Sequence, residues 1–145
     1  MSLLRLDDFL PYRLSYTSNL VSEAIARAYE SLFGLSIPEW RLIAVIAEHD
    51  GITQQGIGTR TRMEKVTVSR AAIALAGRGL IDRTQSPDDR RAQCLTLTSE
   101  GRVLYAQVAP KARELESRIF GAFSPAEIEA FVAMLRRIDS VLEGV

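Results

Sequence analysis

Basic and hydroxyl side chains gather at the start of a predicted helix in the middle of the chain. The members of this cluster are Lys65, Thr67, Ser69 and Arg70. They lie off the apolar stripe of that helix, which runs over about residues 64–79 and turns Val68, Ala72 and Leu75 inward. Because the major groove of B-DNA admits one α-helix whose first turns meet the base edges, the cluster favours DNA contact. Simple capping by the hydroxyls and a solvated Arg70 are the alternatives.

A charged turn forms a second cluster. Two strand-like segments, residues 81–85 and 93–98, flank a turn-rich stretch that contains Asp89, Arg90 and Arg91. Adjacent arginines on a narrow hairpin can reach a minor groove, where the negative potential favours an inserted guanidinium. A local surface ion pair, worth roughly 0–1 kcal/mol, is the alternative. We interpret this turn as the second DNA contact.

Thr53 and Gln54 open a short predicted helix that precedes the first cluster. The helix ends near Arg62 and has Ile57 as its buried anchor. Because the N-terminus of a helix attracts anions, Thr53 and Gln54 could donate hydrogen bonds to a phosphate there. A short helix, a tight turn and a longer helix with a polar leading end together predict a helix-turn-helix.

The charge of the chain is unevenly distributed. The 145 residues include 18 Lys plus Arg and 18 Asp plus Glu, so the formal net charge is zero. Residues 60–91 hold eight cations and four anions, which gives this window +4 and leaves −4 for the rest. A basic middle between acidic flanks fits a phosphate-binding module joined to a separate assembly module, unless the distribution is accidental.

Long amphipathic segments surround the basic middle. Helical spacing predicts a first helix over about residues 9–33 and two helices near the C-terminus. Capping boxes at Ser36 with Glu39 and at Ser124 with Glu127 mark two helix starts. The last helix carries an apolar seam with spacings of three and four residues, made of Ile128, Phe131, Leu135, Ile138 and Leu142. Such a seam suits a partner helix, so the terminal regions predict an intertwined homodimer.

The order of four helices, a hairpin and two further helices resembles the MarR family of bacterial transcription regulators over nearly the whole chain. The most specific match is residues 89–98 with Gly101, which is similar to the family's wing pattern of Asp-x-Arg, a spacer, Leu-x-Leu-Thr and Gly. Residues 51–55, 67–70 and 78–81 are similar to its helix-turn-helix. Each motif alone is weak, but their order and spacing together are specific.

This resemblance implies a fold that is mainly α with a small β-hairpin wing. A winged helix-turn-helix is combined with N- and C-terminal dimerisation helices in such a fold. The implied organisation is a single MarR-like domain over residues 1–145. Its DNA-binding region covers about residues 36–98, and its dimerisation helices cover about residues 9–35 and 99–145.

The resemblance also implies a function. Arg91 is expected to be the residue inserted into the minor groove, and Asp89 is expected to orient its guanidinium. The expected protein is a sequence-specific regulator that binds double-stranded DNA as a homodimer on a pseudo-palindromic operator. A repressor released by a small aromatic or phenolic ligand is the form of regulation that the family suggests.

Candidates for the effector site lie on the first two long helices. Near the junction of the dimerisation helices and the winged region, the family resemblance places an effector cleft, and its candidate lining is Tyr12, Arg13, Tyr16, Trp40 and Arg41, with Ile43 beside them. Tyrosine, arginine and tryptophan could hold an aromatic carboxylate by a charge-assisted bond and stacking. The alternative is that Trp40 and Tyr16 are plain core residues.

Other classes of function find little support in the residues. Cys94, the single cysteine, cannot form an internal disulfide and is expected to be a small buried hydrophobe. His49 stands without a ligand cluster, so neither a metal site nor a cofactor is expected, and no enzyme site is visible. No apolar run approaches the roughly 18 residues of a membrane span, and a signal peptide is not apparent, so a cytoplasmic protein is expected. A helical scaffold that binds another protein without any DNA role is the alternative function.

Overall fold

The computed structural model describes residues 3–144. A 3₁₀ turn at Leu6–Asp8 is followed in chain order by α1 (Leu10–Phe33), α2 (Ile37–Glu48), α3 (Gln54–Thr61), α4 (Lys65–Gly77), β1 (Ile81–Gln85), β2 (Gln93–Leu97), α5 (Ser99–Phe120) and α6 (Pro125–Glu143). The fold is therefore mainly helical with one β-hairpin between α4 and α5, as the sequence predicts.

Both predicted capping boxes are present. The Ser36 Oγ accepts a hydrogen bond from the Glu39 N–H at 3.2 Å, and the Glu39 carboxylate accepts one from the Ser36 N–H at 2.7 Å. Ser124 and Glu127 exchange the same two bonds at the start of α6, at 3.1 and 2.9 Å. Each box satisfies two backbone donors that the helix itself leaves unpaired.

The end of α4 is fixed by a glycine. The helix stops at Gly77, two residues before the predicted end, and Gly79 then takes a left-handed φ of +73°. In this turn the Leu80 N–H donates to the Leu75 carbonyl and the Gly79 N–H donates to the Ala76 carbonyl, both at 3.0 Å. This pair of bonds is a Schellman motif, which glycine favours because it lacks a Cβ.

The buried core is formed by apolar side chains from the part of the sequence between Tyr29 and Val108. It contains Ile57 of α3 and the predicted inward stripe of α4, which is Val68, Ala72 and Leu75. The remaining buried side chains are Leu35, Leu42, Ile43, Ile46, Ala71, Leu80, Ile81, Leu95 and Leu97. The helix-turn-helix is thus held on α2 and on the root of the hairpin by side chains that water does not reach.

A third extended segment, residues 51–53, pairs with the hairpin. The sequence did not predict this pairing. β1 and β2 are antiparallel with Ile81 opposite Leu97. The Leu95 N–H and carbonyl also bond the Ile52 carbonyl and the Gly51 N–H, both at 2.9 Å. An isolated bridge joins Thr53 to Cys94, so the start of α3 is fastened to the hairpin.

Cys94 corrects one expectation. It is half-buried, whereas the sequence predicted a buried hydrophobe. The reason is the alternation of side chains along a strand, because Leu95 and Leu97 of β2 take the buried face and Cys94 lies on the other.

The described chain divides into two compact units between Ala109 and Pro110, inside α5. Pro110 lacks a backbone N–H and interrupts the intrahelical hydrogen bonds there. The first unit contains the core described above, whereas none of the described residues 110–144 is buried. The first turns of α5 still bury Gly101 and Val108, so this boundary lies inside the segment that the sequence assigns to the C-terminal dimerisation helices.

Two negative findings concern other functions. Between residues 3 and 144, no helix combines the length and the apolar character that crossing a bilayer requires. Over the same residues, no three His, Cys, Asp or Glu side chains come together as a metal site would need. His49 is the C-cap residue of α2 and lies 4.0 Å from the exposed carboxylate of Glu48.

Candidate nucleic-acid interface

The start of α3 is tied both to its own helix and to the hairpin. The Thr53 Oγ1 accepts a hydrogen bond from the Gly56 N–H at 3.0 Å, which is the capping role weighed for such hydroxyls. The Gln54 Nε2 donates to the Gln93 Oε1 of β2 at 3.3 Å. The side chains of Thr53 and Gln54 are half-buried, and these hydrogen bonds hold them at the edge of the hairpin.

The turn between α3 and α4 leaves the first turn of α4 accessible. Arg62 takes a left-handed φ of +58°, and the Thr61 hydroxyl braces the turn by accepting from the Met63 N–H at 3.3 Å. Glu64 is the N-cap residue of α4 but makes no capping hydrogen bond through its side chain. The first N–H groups of α4 can therefore bond an outside acceptor such as a phosphate.

The outer face of α4 combines charge with exposed apolar groups. Lys65 and Arg70 are exposed, while Thr67 and Ser69 are half-buried at the flanks. Val66 and Ile73 are 57% and 56% exposed and share the face of Arg70, opposite the buried stripe. Sequence reasoning missed these two residues, although their spacing of seven, with Arg70 between them, forms a second helical stripe.

The tip of the hairpin is shaped by hydrogen bonds to its backbone. The Asp89 Oδ1 accepts from the Arg91 backbone N–H at 2.9 Å, and the Asp89 carbonyl accepts from the Ala92 N–H at 3.0 Å. The Gln85 Nε2 donates to the Arg90 carbonyl at 2.8 Å. These bonds present Arg90 and Arg91 on an ordered turn, and both side chains are exposed.

The structure corrects the role implied for Asp89. Its carboxylate was expected to orient the guanidinium of Arg91, but it binds the backbone N–H of that residue. An aspartate side chain reaches the N–H two residues further on without any rearrangement, which is the geometry of an Asx turn. Asp89 therefore fixes the shape of the turn, and the side chain of Arg91 extends from it.

A groove of about 870 Å³ brings the two predicted clusters together. It runs between the start of α3, the start of α4 and the hairpin tip, and its lining includes Thr53, Gln54, Lys65, Asp89, Arg90 and Arg91. Thr67, Ser69 and Arg70 are not part of this lining and lie further along α4. One face of the first unit thus presents a helix start and a two-arginine turn on the two sides of one groove.

The root of the hairpin explains the Leu-x-Leu-Thr and Gly pattern. The Thr98 hydroxyl donates to the Gly79 carbonyl at 2.7 Å and accepts from the Gly101 N–H at 3.0 Å. A Cβ at Gly101 would collide with the Leu80 carbonyl oxygen, so only glycine lets α5 start this close to the chain after α4. This junction positions the hairpin relative to α4.

Comparisons with known proteins agree with this architecture. A family model described as the MarR family matches residues 33–92. The transcriptional regulator HosA of Escherichia coli O111:H- is 27% identical over 119 residues, which cover 82% of this chain and 88% of that protein. A crystal structure of a MarR/EmrR family transcriptional regulator from Acinetobacter sp. ADP1 superposes with a TM-score of 0.89 at 23% identity, covering 98% of this chain and 100% of that one. The chain is therefore similar to MarR-family regulators in its winged helix-turn-helix region and in its overall fold.

A further structure of the same fold concerns a ligand. It is described as showing how 6-hydroxynicotinic acid regulates DNA binding of BpsR from Bordetella bronchiseptica. The TM-score is 0.87 at 21% identity, and the match covers 95% of this chain and 98% of that one. This likeness shows the fold alone.

The effector candidates of this chain divide into two groups. On α1, the rings of Tyr12 and Tyr16 lie 6.0 Å apart, and the Arg13 guanidinium carbon lies 5.3 Å from the Tyr16 ring centre. Tyr16 is 46% exposed, so the alternative that it is a plain core residue is wrong for this chain. Arg41 is exposed on α2. Ile43 is fully buried and belongs to the core.

Trp40 belongs to a different aromatic cluster. Its ring packs edge-on against Tyr29 at 5.7 Å and stacks on Tyr105 at 5.9 Å with an interplanar angle of 17°. Burial raises the pKa of the Tyr29 hydroxyl above its ordinary value of 10.0, so this group stays neutral at physiological pH. Sequence reasoning missed Tyr29 and Tyr105, because their approach to Trp40 depends on the packing of three separate helices.

Proposed function

We propose that this protein is a MarR-family regulator that binds double-stranded DNA as a homodimer on a pseudo-palindromic operator and represses transcription in the cytoplasm. The observation that carries the proposal is the face on which the accessible start of α4 and the arginine-tipped hairpin border one groove. Residues 60–91 carry the net charge of +4 that a phosphate surface attracts. Neither a catalytic activity nor a cofactor is part of the proposal.

The proposed contacts follow from the exposure of each side chain. Lys65, Thr67, Ser69 and Arg70 meet the major groove. Arg70 offers a two-pronged bond to guanine, and the exposed Val66 offers an apolar contact to the methyl group of thymine. Arg90 and Arg91 reach the adjacent minor groove, while Asp89 keeps their turn in shape. Thr53 and Gln54 stand near the phosphates between the two grooves.

The proposed dimer is supported by apolar surface at both ends of the chain. Phe131, Ile138 and Leu142 of the predicted seam are 43%, 43% and 66% exposed, and α6 contains no buried residue. Leu10 and Leu14 of α1 are 79% and 48% exposed. Exposed apolar surface of this extent marks an interaction site, and a second copy of the chain supplies a matching seam.

The proposed effector is a small aromatic or phenolic acid. The half-buried Tyr12 and the exposed Arg13 and Tyr16 offer two rings and a cation on one stretch of α1, and Arg41 offers a second cation. A carboxylate bonded to arginine while its ring stacks on tyrosine is a common mode of recognition. The structure described for BpsR supports this choice of ligand class. Trp40 is retained as a lining candidate, although its ring is occupied by Tyr29 and Tyr105.

The test is a titration of fluorescent DNA from upstream of the protein's own gene, read by anisotropy. The wild type should bind, and its affinity should fall steeply as salt is raised, because counterions are released. Arg70→Ala should weaken binding while the dimer persists, and Arg102→Ala, a matched loss of an exposed arginine on α5, should leave it unchanged. Full binding by Arg70→Ala would contradict the proposed face. Absence of DNA binding together with capture of a protein partner would favour the helical scaffold instead.

The effector is tested on the preformed complex. A panel of benzoic, hydroxybenzoic and hydroxynicotinic acids should include compounds that release the DNA from the wild type. Arg13→Ala should need a higher concentration of the same compound, because the charge-assisted bond to the carboxylate is lost. Release of DNA by the same concentrations in both proteins would remove Arg13 from the site.

A further inference from the structure

Arg78 makes a long-range connection that the DNA contacts do not use. It is the C-cap residue of α4, and its side chain crosses to the end of α1. The Nη1 donates to the Gly34 carbonyl at 3.0 Å, and the Nη2 donates to the Phe33 carbonyl at 3.2 Å. These partners are 44 and 45 residues away in the sequence, so the bonds link two separate helices.

The end of α1 is suited to receive a guanidinium. The last carbonyls of a helix have no partner within it and carry the negative end of the helix dipole. Gly34 turns the chain with a left-handed φ of +63°, and its carbonyl and that of Phe33 both reach the planar fork of Arg78. Two parallel N–H donors on one rigid group define a direction as well as a distance, which a lysine cannot do.

The hydrogen bonds from Arg78 to the end of α1 supplement an indirect connection between α4 and α1. α1 packs on α2, and α2 packs on α4, so the position of α4 relative to α1 is otherwise transmitted through α2. Arg78 joins the two outer helices of this series directly, at the end of α4 opposite its DNA-facing start. A helix that is also fastened at one end has less freedom to tilt than a helix held through its buried face alone.

We propose that Arg78 is a positioning residue that fixes α4 relative to α1 and thereby sets the spacing of half-sites that the dimer accepts. The inference rests on the proposed function, in which α1 belongs to the dimer interface and α4 enters the major groove. The separation and rotation of the two α4 helices then depend on the angle between α1 and α4 in each protomer. The clamp formed by Arg78, Phe33 and Gly34 holds that angle.

The experiment measures the spacing selectivity of the full-length dimer. An operator is first selected with the wild type from a pool of randomised duplexes, and variants with one base pair added or removed between the half-sites are then made. One base pair moves a half-site by about 3.4 Å along the axis and by roughly a tenth of a helical turn around it. The wild type should lose affinity by about tenfold or more on either variant, because both half-sites no longer fit at once.

Arg78→Ala should bind the selected operator more weakly and discriminate less between spacings, so that the ratio of its dissociation constants falls to within about threefold. Arg78→Lys keeps the charge but not the fork, and it should lie between the wild type and Arg78→Ala. Arg102→Ala, which removes an exposed arginine paired with Asp50 at 3.8 Å, should keep the wild-type ratio. Light scattering should show a dimer for every variant.

The ratio separates positioning from simple loss of folding. If Arg78 only stabilises the fold, its loss reduces the active fraction and weakens binding to every spacing equally, so an unchanged ratio would overturn the inference. Failure of the wild type to select any operator would instead count against the proposed function.

Discussion

The middle and the C-terminal end of this chain are built from similar helices but have opposite surroundings. Between Tyr29 and Val108 the structure buries a continuous set of apolar side chains, several of them with no exposed surface. Of the described residues 110–144, none is buried, although α6 carries as regular an apolar seam as any helix in the chain. The middle is therefore stabilised by its own core, whereas the apolar seam of α6 is exposed in the single chain and would be covered by the proposed dimer.

Local signals do not distinguish the two regions. α2 and α6 both begin with a complete capping box and a proline in the first turn. α2 nevertheless contributes three buried side chains, Leu42, Ile43 and Ile46, and α6 contributes none. A capping box fixes the residue at which a helix starts, whereas the apolar side chains that the helix buries determine how much it stabilises the fold.

The largest expected effect comes from placing a charge in the seam. Ile138→Glu should give a monomer in sedimentation velocity and lower operator affinity by about 100-fold or more, because two half-site contacts no longer act together. Circular dichroism should stay close to that of the wild type, since Ile138 is 43% exposed in the single chain.

Ala133→Glu is the matched control for the seam. It adds the same charge to the opposite face of α6, where Ala133 is exposed, and it should remain a dimer with full operator affinity. Dissociation of both variants to the same extent would mean that the seam has no special role. A dimeric Ile138→Glu would place the interface elsewhere.

The next prediction compares the same isoleucine-to-alanine substitution in the two regions. Ile57 is fully buried, so Ile57→Ala should lower the free energy of unfolding by about 2–5 kcal/mol at every protein concentration. Ile138→Ala should lower stability by an amount that shrinks as the protein is diluted, because the burial of this side chain depends on association and both proteins approach the folded monomer at low concentration. Urea unfolding at two protein concentrations measures both. A concentration-independent loss for Ile138→Ala would contradict the division into a self-stabilised and a partner-dependent region.

A smaller effect concerns the proposed DNA-facing side of the middle region. Arg91→Ala should weaken operator binding by about tenfold and reduce the slope of log affinity against log salt by about one, because one phosphate or groove contact is lost. Its dimer and its unfolding midpoint should match the wild type, since Arg91 is exposed at the hairpin tip. A change in unfolding midpoint would instead assign Arg91 a structural role.

The sequence predicted those parts of the molecule that depend on near neighbours. The two capping boxes, the glycine turn after α4, the hairpin and the inward stripe of α4 all follow from patterns that each lie within one short continuous segment of the sequence. Contacts between distant segments were not predicted. Examples are the pairing of Ile52 with Leu95, the stacking of Trp40 on Tyr105 and the bonds from Arg78 to the end of α1.

The candidate DNA-binding site shows the same limit. The sequence predicted an exposed, charged hairpin tip, and the exposure of Arg90 and Arg91 is confirmed. The predicted hydrogen-bond partner of Asp89 was wrong. A carboxylate close in sequence to an arginine can bond either the guanidinium or the nearer backbone N–H of that residue, and Asp89 bonds the N–H. The exposed Val66 and Ile73 were missed, because attention to charge overlooks apolar residues that face away from the core.

The smallest effect uses the shared capping boxes to compare the regions once more. Ser36→Ala and Ser124→Ala each remove one hydroxyl acceptor, and each should cost about 1 kcal/mol. For Ser36, at the start of a helix with three buried side chains, the loss should appear in the global unfolding transition. For Ser124, at the start of α6, it should appear as weaker dimerisation at low concentration and as faster hydrogen exchange confined to the first turn of that helix. Ser124→Asp, which preserves a capping oxygen, should restore both quantities. If Ser124→Ala instead lowered the global unfolding midpoint as much as Ser36→Ala at every concentration, α6 would fold as one cooperative unit with the core, and the contrast between the two regions would have to be abandoned.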